Sequence, residues 1–275
     1  MPLDWKIFTK RPYIKSLSLE EQMRLFSIEN EKSIKLRESK FIDFANSNPT
    51  SQGAAGDGAT GVVGFTNTRS LAFDSVDDHV DTNSVKFSGA SSLSISCWFN
   101  INAIRNINSL MTNWNSGQTN YILRYNQGVG FQFYVSTTDT VAALTTYAIT
   151  PDTDRWYHIA GIYNGSNITL YLDGAPVGTP TSLTGTVLTN TNTDVIAKRD
   201  SEFFNGNIDE VAYFTSDQTS NIATLYNGGV PGDIASLNPV AWYRFEEGSG
   251  TTAIDSGTGA SNGTHSATYS TAVPT

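Results

Sequence analysis

Leu93-Ser94-Ile95-Ser96-Cys97-Trp98-Phe99-Asn100-Ile101 puts an apolar side chain at every odd position and, Trp98 apart, a small polar one between them. A period of two is the signature of a half-buried β-strand. Phe131, Phe133 and Val135 repeat it, as do Ile168, Leu170 and Leu172. Between such runs stand Asn164-Gly165, Asp173-Gly174 and Asn205-Gly206, dipeptides that tolerate the positive φ of tight hairpins. Across Ile208-Asp209-Glu210-Val211-Ala212-Tyr213 the alternation slips by one, which predicts a β-bulge. One short helix is expected over 217–226, with Ser216 as its cap and Gly228-Gly229 as its stop. Many short strands with almost no helix predict an all-β antiparallel sandwich or barrel over residues 62–275.

Composition agrees with that reading. The chain of 275 residues holds 29 Ser, 33 Thr, 23 Asn and 23 Gly, and only 16% of it is charged. Such a mixture suits short strands and many turns, and excludes a helical bundle, a coiled-coil rod or collagen. A net charge of −9 argues against a nucleic-acid groove over the main body. No run of 18 apolar residues is present, so no membrane-spanning helix is expected. Residues 1–15 lack the apolar centre of a secretion leader. Cys97 is the single cysteine and has no partner for a disulfide within the chain.

The charge divides the chain in two. Residues 1–45 carry nine Lys/Arg against seven Asp/Glu, whereas 46–275 carry eight against nineteen. Within the first part, Ser18-Leu19-Glu20-Glu21 reads as a capping box. Leu19, Met23, Phe26, Ile34, Phe41 and Phe44 follow at roughly helical spacing, predicting a helical arm to about residue 44. A lone helix needs something to pack on. Leu19, Met23, Phe26, Phe41 and Phe44 are therefore the expected anchoring residues, toward another protein or copies of the same chain; packing on the chain's own downstream domain or on a membrane surface are the alternatives. Residues 46–61 contain no large apolar side chain and read as a flexible linker. Gly56, Gly58 and Gly61 have dinucleotide-fingerprint spacing, but no strand precedes them and no helix follows.

Four stretches carry a family resemblance. Leu71-Ala72-Phe73-Asp74-Ser75-Val76-Asp77-Asp78-His79-Val80 is similar to the Phe-Asp-Gly-x-Asp-Asp-Tyr-Val opening of laminin-G-like domains, with Ser75 in the place of the glycine. Residues 93–99, 155–174 and 203–211 resemble later blocks of the same domains, in order. The resemblance is to the concanavalin A-like lectin/glucanase superfamily and implies a jelly roll of two curved antiparallel sheets. Residues 242–250, Trp-Tyr-Arg-Phe-Glu-Glu-Gly-Ser-Gly, resemble a segment that usually precedes the opening block, yet here they follow it. The segment 239–275 is therefore expected to supply a strand beside Leu71-Ala72-Phe73, burying Trp242 and Phe245.

The resemblance also directs the search for chemistry. Glucanases of the superfamily carry Glu-x-Asp-x-x-Glu, which sets a nucleophile and an acid on one strand face. The matching frame here is Asn207-Ile208-Asp209-Glu210-Val211-Ala212, with Asn and Ala where both glutamates would stand. No enzyme is expected, and Asp209 and Glu210 are expected to satisfy backbone groups at the bulge. Related domains often hold calcium at a loop rim, and Asp77, Asp78 and Asp81 offer carboxylates for it. No other cofactor is expected. His79, His158 and His265 lie far apart, without zinc-ligand spacing. For sugar, an aromatic face flanked by amides is needed; Trp114 with Asn113, Asn120 and Tyr121 is the candidate set.

A fold typical of outside surfaces, without a leader or disulfides, suits a particle component made in a host cytoplasm. The run 238–244 and the ending 270–274 resemble marine bacteriophage structural proteins. The expected function is thus a non-enzymatic virion structural protein, as capsid decoration or tail fibre, displaying a lectin-like domain toward host glycan. Its expected partners are other virion proteins and further copies of itself, with no nucleic acid and no membrane. A cellular lectin or adhesin is the alternative, and a glycoside hydrolase a remote one.

Overall fold

The computed structural model describes residues 65–115, 118–137 and 142–275. The arm with Leu19, Met23, Phe26, Phe41 and Phe44, its capping box and the linker 46–61 lie outside the described residues. In chain order the first strands are β1 (Ser70–Asp74), β2 (Val80–Asp81), β3 (Leu93–Ile101), β4 (Ile107–Asn113), β5 (Tyr121–Asn126) and β6 (Gly130–Ser136). Next come β7 (Ala142–Tyr147), β8 (Trp156–Tyr163), β9 (Asn167–Leu172), β10 (Ala175–Ser182), β11 (Val195–Ile196) and β12 (Lys198–Arg199). The last are β13 (Glu202–Phe203), β14 (Asn205–Phe214), β15 (Ala241–Tyr243), β16 (Thr252–Ala253), β17 (Gly263–His265) and β18 (Thr268–Ser270).

Two eight-stranded sheets face each other. The first runs β10-β9-β8-β3-β14-β1-β18, with β15 also on β14; the second runs β16-β17-β2-β11-β4-β5-β6-β7, and the strands pair antiparallel throughout both. The odd positions of β3, from Leu93 through Cys97 to Ile101, all point into the common core and are fully buried. Across the layer, Phe99 packs edge-on against Phe131 of β6, their ring centres 5.5 Å apart. The predicted all-β antiparallel sandwich is the observed one.

The even positions of β3 hold a surprise. Ser94, Ser96 and Trp98 are buried as well. A second apolar cluster covers this outer face, in which Ala160, Ala212, Phe214 and Trp242 meet Ile222, Leu225 and Ile234. The covering segment contains the expected helix, but in two pieces: a 3-10 turn over Thr219–Asn221, then α1 (Ile222–Tyr226). Ser216 does not cap it; the Asp217 carboxylate instead accepts the Thr219 N–H at 2.9 Å. Asn227 (φ 46°) and Gly228 (φ 71°) end it in left-handed backbone.

Asp173 (φ 48°) and Gly174 (φ 76°) make the two-residue turn between β9 and β10, as their sequence predicts. Asn205-Gly206 is not a turn. Both residues lie inside β14, where a Cβ on Gly206 would sit 1.9 Å from the Asn100 carbonyl oxygen. Glycine is required there by the close approach of β3. The bulge lies where the alternation slips: the β3–β14 register shifts between Asp209 and Ala212, and Glu210 takes φ 49°.

The C-terminal segment departs from expectation in its partner. β15 pairs with β14, end to end with β1, and it is β18 that lies beside Leu71-Ala72. Trp242 and Phe245 are buried within the chain's own domain, as predicted, and β16 and β17 extend the second sheet.

Candidate functional site

At one end of the sandwich, four connections distant in sequence enclose a groove of about 580 Å³. One wall is the β3–β4 loop, with Arg105 and Asn106; another is the β12–β13 hairpin, with Glu202 and Phe203. Gln127 of the β5–β6 turn and Ser75 of the β1–β2 loop complete it. The loop is held from below: the Gln127 N–H donates to the Asn106 carbonyl at 2.9 Å and the Asn108 amide to the Arg105 carbonyl at 3.1 Å. In the hairpin, Lys198 pairs with Phe203 and Arg199 with Glu202. The Lys198 ammonium lies 5.4 Å from the Phe203 ring centre, and Arg199 forms an ion pair with Glu202 at 2.9 Å. The groove thus offers amides, a carboxylate, cations and one aromatic ring, the group types that orient sugar hydroxyls and stack on sugar rings.

Ser75 keeps the backbone its usual glycine would adopt, with φ 69°. A side chain in the left-handed region costs about 1–2 kcal/mol, partly offset because serine is less free than glycine in the unfolded chain. Ser75→Gly should therefore stabilise the domain by about 0.5–1 kcal/mol. A calorimetric melting temperature that fell instead would show that the Asn205 amide contact to the Ser75 hydroxyl, at 3.3 Å, matters more than the strain.

The sequence-predicted sugar set is not at this groove, and most of it is inside the protein. Asn113 and Tyr121 face each other across β4 and β5 on the core side of the second sheet, and neither is exposed. Asn120 is likewise buried. The Asn190 amide donates to the carbonyl oxygens of Asn113 (2.9 Å) and Asn120 (2.7 Å), so these side chains bind loops together. The Tyr121 ring packs edge-on against Phe87 in the core. Trp114 is half-buried and its ring is covered by the Arg199 guanidinium at 4.7 Å. Strand register explains the correction: polar asparagines on an inward face satisfy one another instead of facing solvent.

The calcium set is also revised. Among the described residues, the cation-ligand group drawn together is Asp74, Asp77 and Asp78, each with an oxygen within 4.8 Å of the others. Asp81 stands apart, accepting the Asn83 N–H at 2.8 Å. Asp74 was missed because a strand end gave no hint that its side chain turns back toward the loop. Two of the carboxylates also accept backbone N–H groups, Asp78 from Asp74 at 3.1 Å and Asp74 from Val76 at 2.8 Å. Burial raises the Asp78 pKa, and the charges of Asp74 and Asp77 raise it further. These three residues could supply oxygens to a divalent cation, short of the six to eight that calcium takes.

The glucanase frame is enclosed. Asn207, in the place of the first glutamate, donates to the Ser70 hydroxyl at 3.1 Å, and Ala212, in the place of the second, is buried. Asp209 is fully buried and accepts the Asn67 amide (2.8 Å) and the Glu210 N–H (2.9 Å). Glu210 does not serve backbone groups as expected; its carboxylate takes the Trp242 indole N–H and the Arg244 guanidinium, the latter at 3.2 Å. Burial pushes Asp209 well above the usual carboxylate range, with Glu210 adding repulsion. It pushes Glu210 up to about 7 despite Arg244. The nearby void lined by Trp98, His158 and Glu210 has a volume of about 10 Å³, room for one water at most. His158 there is fully buried and held down to about 3.

Comparison with known proteins agrees with this architecture. The structure is similar to a Bacteroides ovatus protein whose assigned role, itself a conjecture, is carbohydrate binding, with 22% identity and a TM-score of 0.55 over 76% of this chain. The chain spans 62% of that protein's length. Weaker similarity is found to the heptameric SAP-like pentraxin of Limulus polyphemus, with 12% identity, 58% of this chain, 82% of that one and a TM-score of 0.46. The LG4-5 domains of the mouse laminin α1 chain give 14% identity, 55% and 41% coverage and a TM-score of 0.42. No curated protein matches the sequence. The family model described as the concanavalin A-like lectin/glucanases superfamily matches residues 74–221, more than half of the sequence, and the chain belongs to that superfamily.

Proposed function

We propose that the chain is a non-enzymatic display protein whose lectin-like domain binds carbohydrate in the groove between the 102–107 loop and the 198–203 hairpin. The observation that carries this reading is the lining of that groove: Asn106 and Gln127 amides, the Glu202 carboxylate, the Arg105 guanidinium and the Phe203 ring around about 580 Å³. The fold neighbour from Bacteroides ovatus, assigned to carbohydrate binding, supports it by fold. Non-enzymatic action is supported by Asn207 and Ala212 in the glutamate places and by the burial of Asp209 and Glu210. Assays on neutral and charged polysaccharides should give binding without turnover. Turnover abolished by Asp209→Asn would overturn the non-enzymatic part, and a glycan array without any ligand would overturn the binding part.

A virion, as capsid decoration or tail fibre, is the proposed setting, with residues 1–45 as the attachment to the particle. The support is sequence alone: an apolar stripe in a near-neutral arm, then a linker free of large apolar groups, then an acidic domain. Deleting residues 1–45 should leave a domain that still binds glycan but no longer joins the particle. Incorporation at normal occupancy would place the anchor elsewhere.

A further inference from the structure

Charge is distributed over the domain in a way the carbohydrate reading does not require. Residues 46–275 hold only eight Lys/Arg against nineteen Asp/Glu, yet Arg105 lines the groove, Lys198 and Arg199 touch its lining residues Phe203 and Glu202, and Arg124 feels the charges of Arg199 and Glu202. Of the other four, Lys86 reaches the Tyr243 hydroxyl at 3.2 Å, beneath the two rings of Tyr213 and Tyr243. Arg155 pairs with Asp173 at 2.6 Å and Arg244 with Glu210 at 3.2 Å. Arg69 lies against Gly248.

Two of the four cations at the groove are engaged locally. Arg199 pairs with Glu202 and covers Trp114. Arg124 donates to the Gln132 side chain at 3.0 Å, and burial together with the charge of Arg199 lowers its pKa. The other two are open. Arg105 is exposed on the groove wall, and Lys198 lies over the Phe203 ring; among the described residues neither has a carboxylate partner. The anions in reach are Glu202, already paired, Asp200 in the hairpin turn, and Asp74, Asp77 and Asp78 beyond Ser75. Among the described residues, Arg105 in the lining and Lys198 on the lining ring of Phe203 are therefore the cations beside the groove that lack a carboxylate partner.

Building on the carbohydrate reading of the same groove, we propose that its ligand is an acidic glycan, whose carboxylate or sulfate is held by Arg105 and Lys198 while the sugar ring lies against Phe203. A guanidinium fork matches either anion with two parallel hydrogen bonds, and an ammonium adds a point charge. A neutral sugar can accept hydrogen bonds from both cations but leaves them without a counter-charge.

The test is calorimetric titration of the full chain with three oligosaccharides of equal length: a polyuronate, a sulfated galactan and a neutral β-glucan. Arg105→Gln and Lys198→Gln serve as variants: Arg105 is exposed, and Lys198 is half-buried and gives up one cation–π contact with Phe203, which the melting temperature of the variant monitors. Affinity for at least one charged ligand should exceed that for the neutral one by about tenfold, and each substitution should lower it about five- to tenfold. Raising the salt should weaken the charged ligands alone. The two charged arms tell carboxylate from sulfate. Equal affinity for the neutral glucan, or unchanged affinity in both variants, would overturn the acidic-glycan inference and leave carbohydrate binding standing. Absence of binding to all three would overturn both.

Discussion

Truncation after Asn238 should leave a chain that does not fold to a stable monomer at 25 °C. The segment it removes contributes to both sheets: β15 and β18 lie in the first, β16 and β17 in the second. Tyr243 and Phe245 stack on each other in the core, fully buried, and Tyr243 meets Tyr213 edge-on. Trp242 closes the second cluster on the outer face, against Phe65. Each such side chain is worth about 1.5–3 kcal/mol, so these three alone approach the whole stability of an average domain, about 5–15 kcal/mol. Removing β15 also opens the edge of β14 over Val211–Tyr213, an aggregation-prone surface. Melting temperature and solution mass check the outcome; a truncated chain as stable and monodisperse as the full one would make the segment dispensable.

Replacing Arg244 by Leu should cost about 2 kcal/mol at pH 8, because Glu210 must then either hold its buried charge without a cation or keep its proton against the pH. The loss should shrink as the pH falls. Glu210 has a folded pKa of about 7 against an ordinary 4.5, so the folded state holds its proton more tightly than the unfolded one. The stability that this proton confers is present below about pH 4.5 and is lost as the pH rises through 7. Without Arg244, which lowers that pKa by charge and hydrogen bond, protonation extends to still higher pH. At pH 5 both proteins carry a neutral Glu210, and the remaining cost, under about 1 kcal/mol, is the guanidinium's contact with the Phe65 and Trp242 rings. Denaturant unfolding at the two pH values measures the difference; an equal loss at both would show that the ion pair contributes nothing beyond packing.

How far the sequence foretold this molecule depends on the range of the signal. β3 and the bulge in β14 were legible because alternation, and a slip in it, is local and periodic. The second cluster was not, because Ser94 and Ser96 look like solvent positions until Ile222, Leu225 and Ile234 are laid over their neighbours. Asn113 and Asn120 read as a sugar loop, whereas their partner Asn190 lies 70 or more residues away. Asp74 was passed over for Asp81 because the turn that returns its carboxylate to Asp78 is not written in spacing. The groove itself was illegible: residues 75, 105, 127 and 203 meet only because β1, β3, β5 and β13 end at the same rim. The resemblance of residues 242–250 to a family segment located a strand correctly and its neighbour wrongly, since β14 is long enough to pair with β1 and β15 in succession.

Backbone-amide NMR of residues 62–275 titrated with an oligosaccharide found to bind the full chain tests the central claim most directly. Shifts should concentrate at Ser75, in the 103–107 loop, at Gln127 and in the 198–203 hairpin. Shifts centred instead on 113–121, or on the strand face around Asp209 and Glu210, would contradict it.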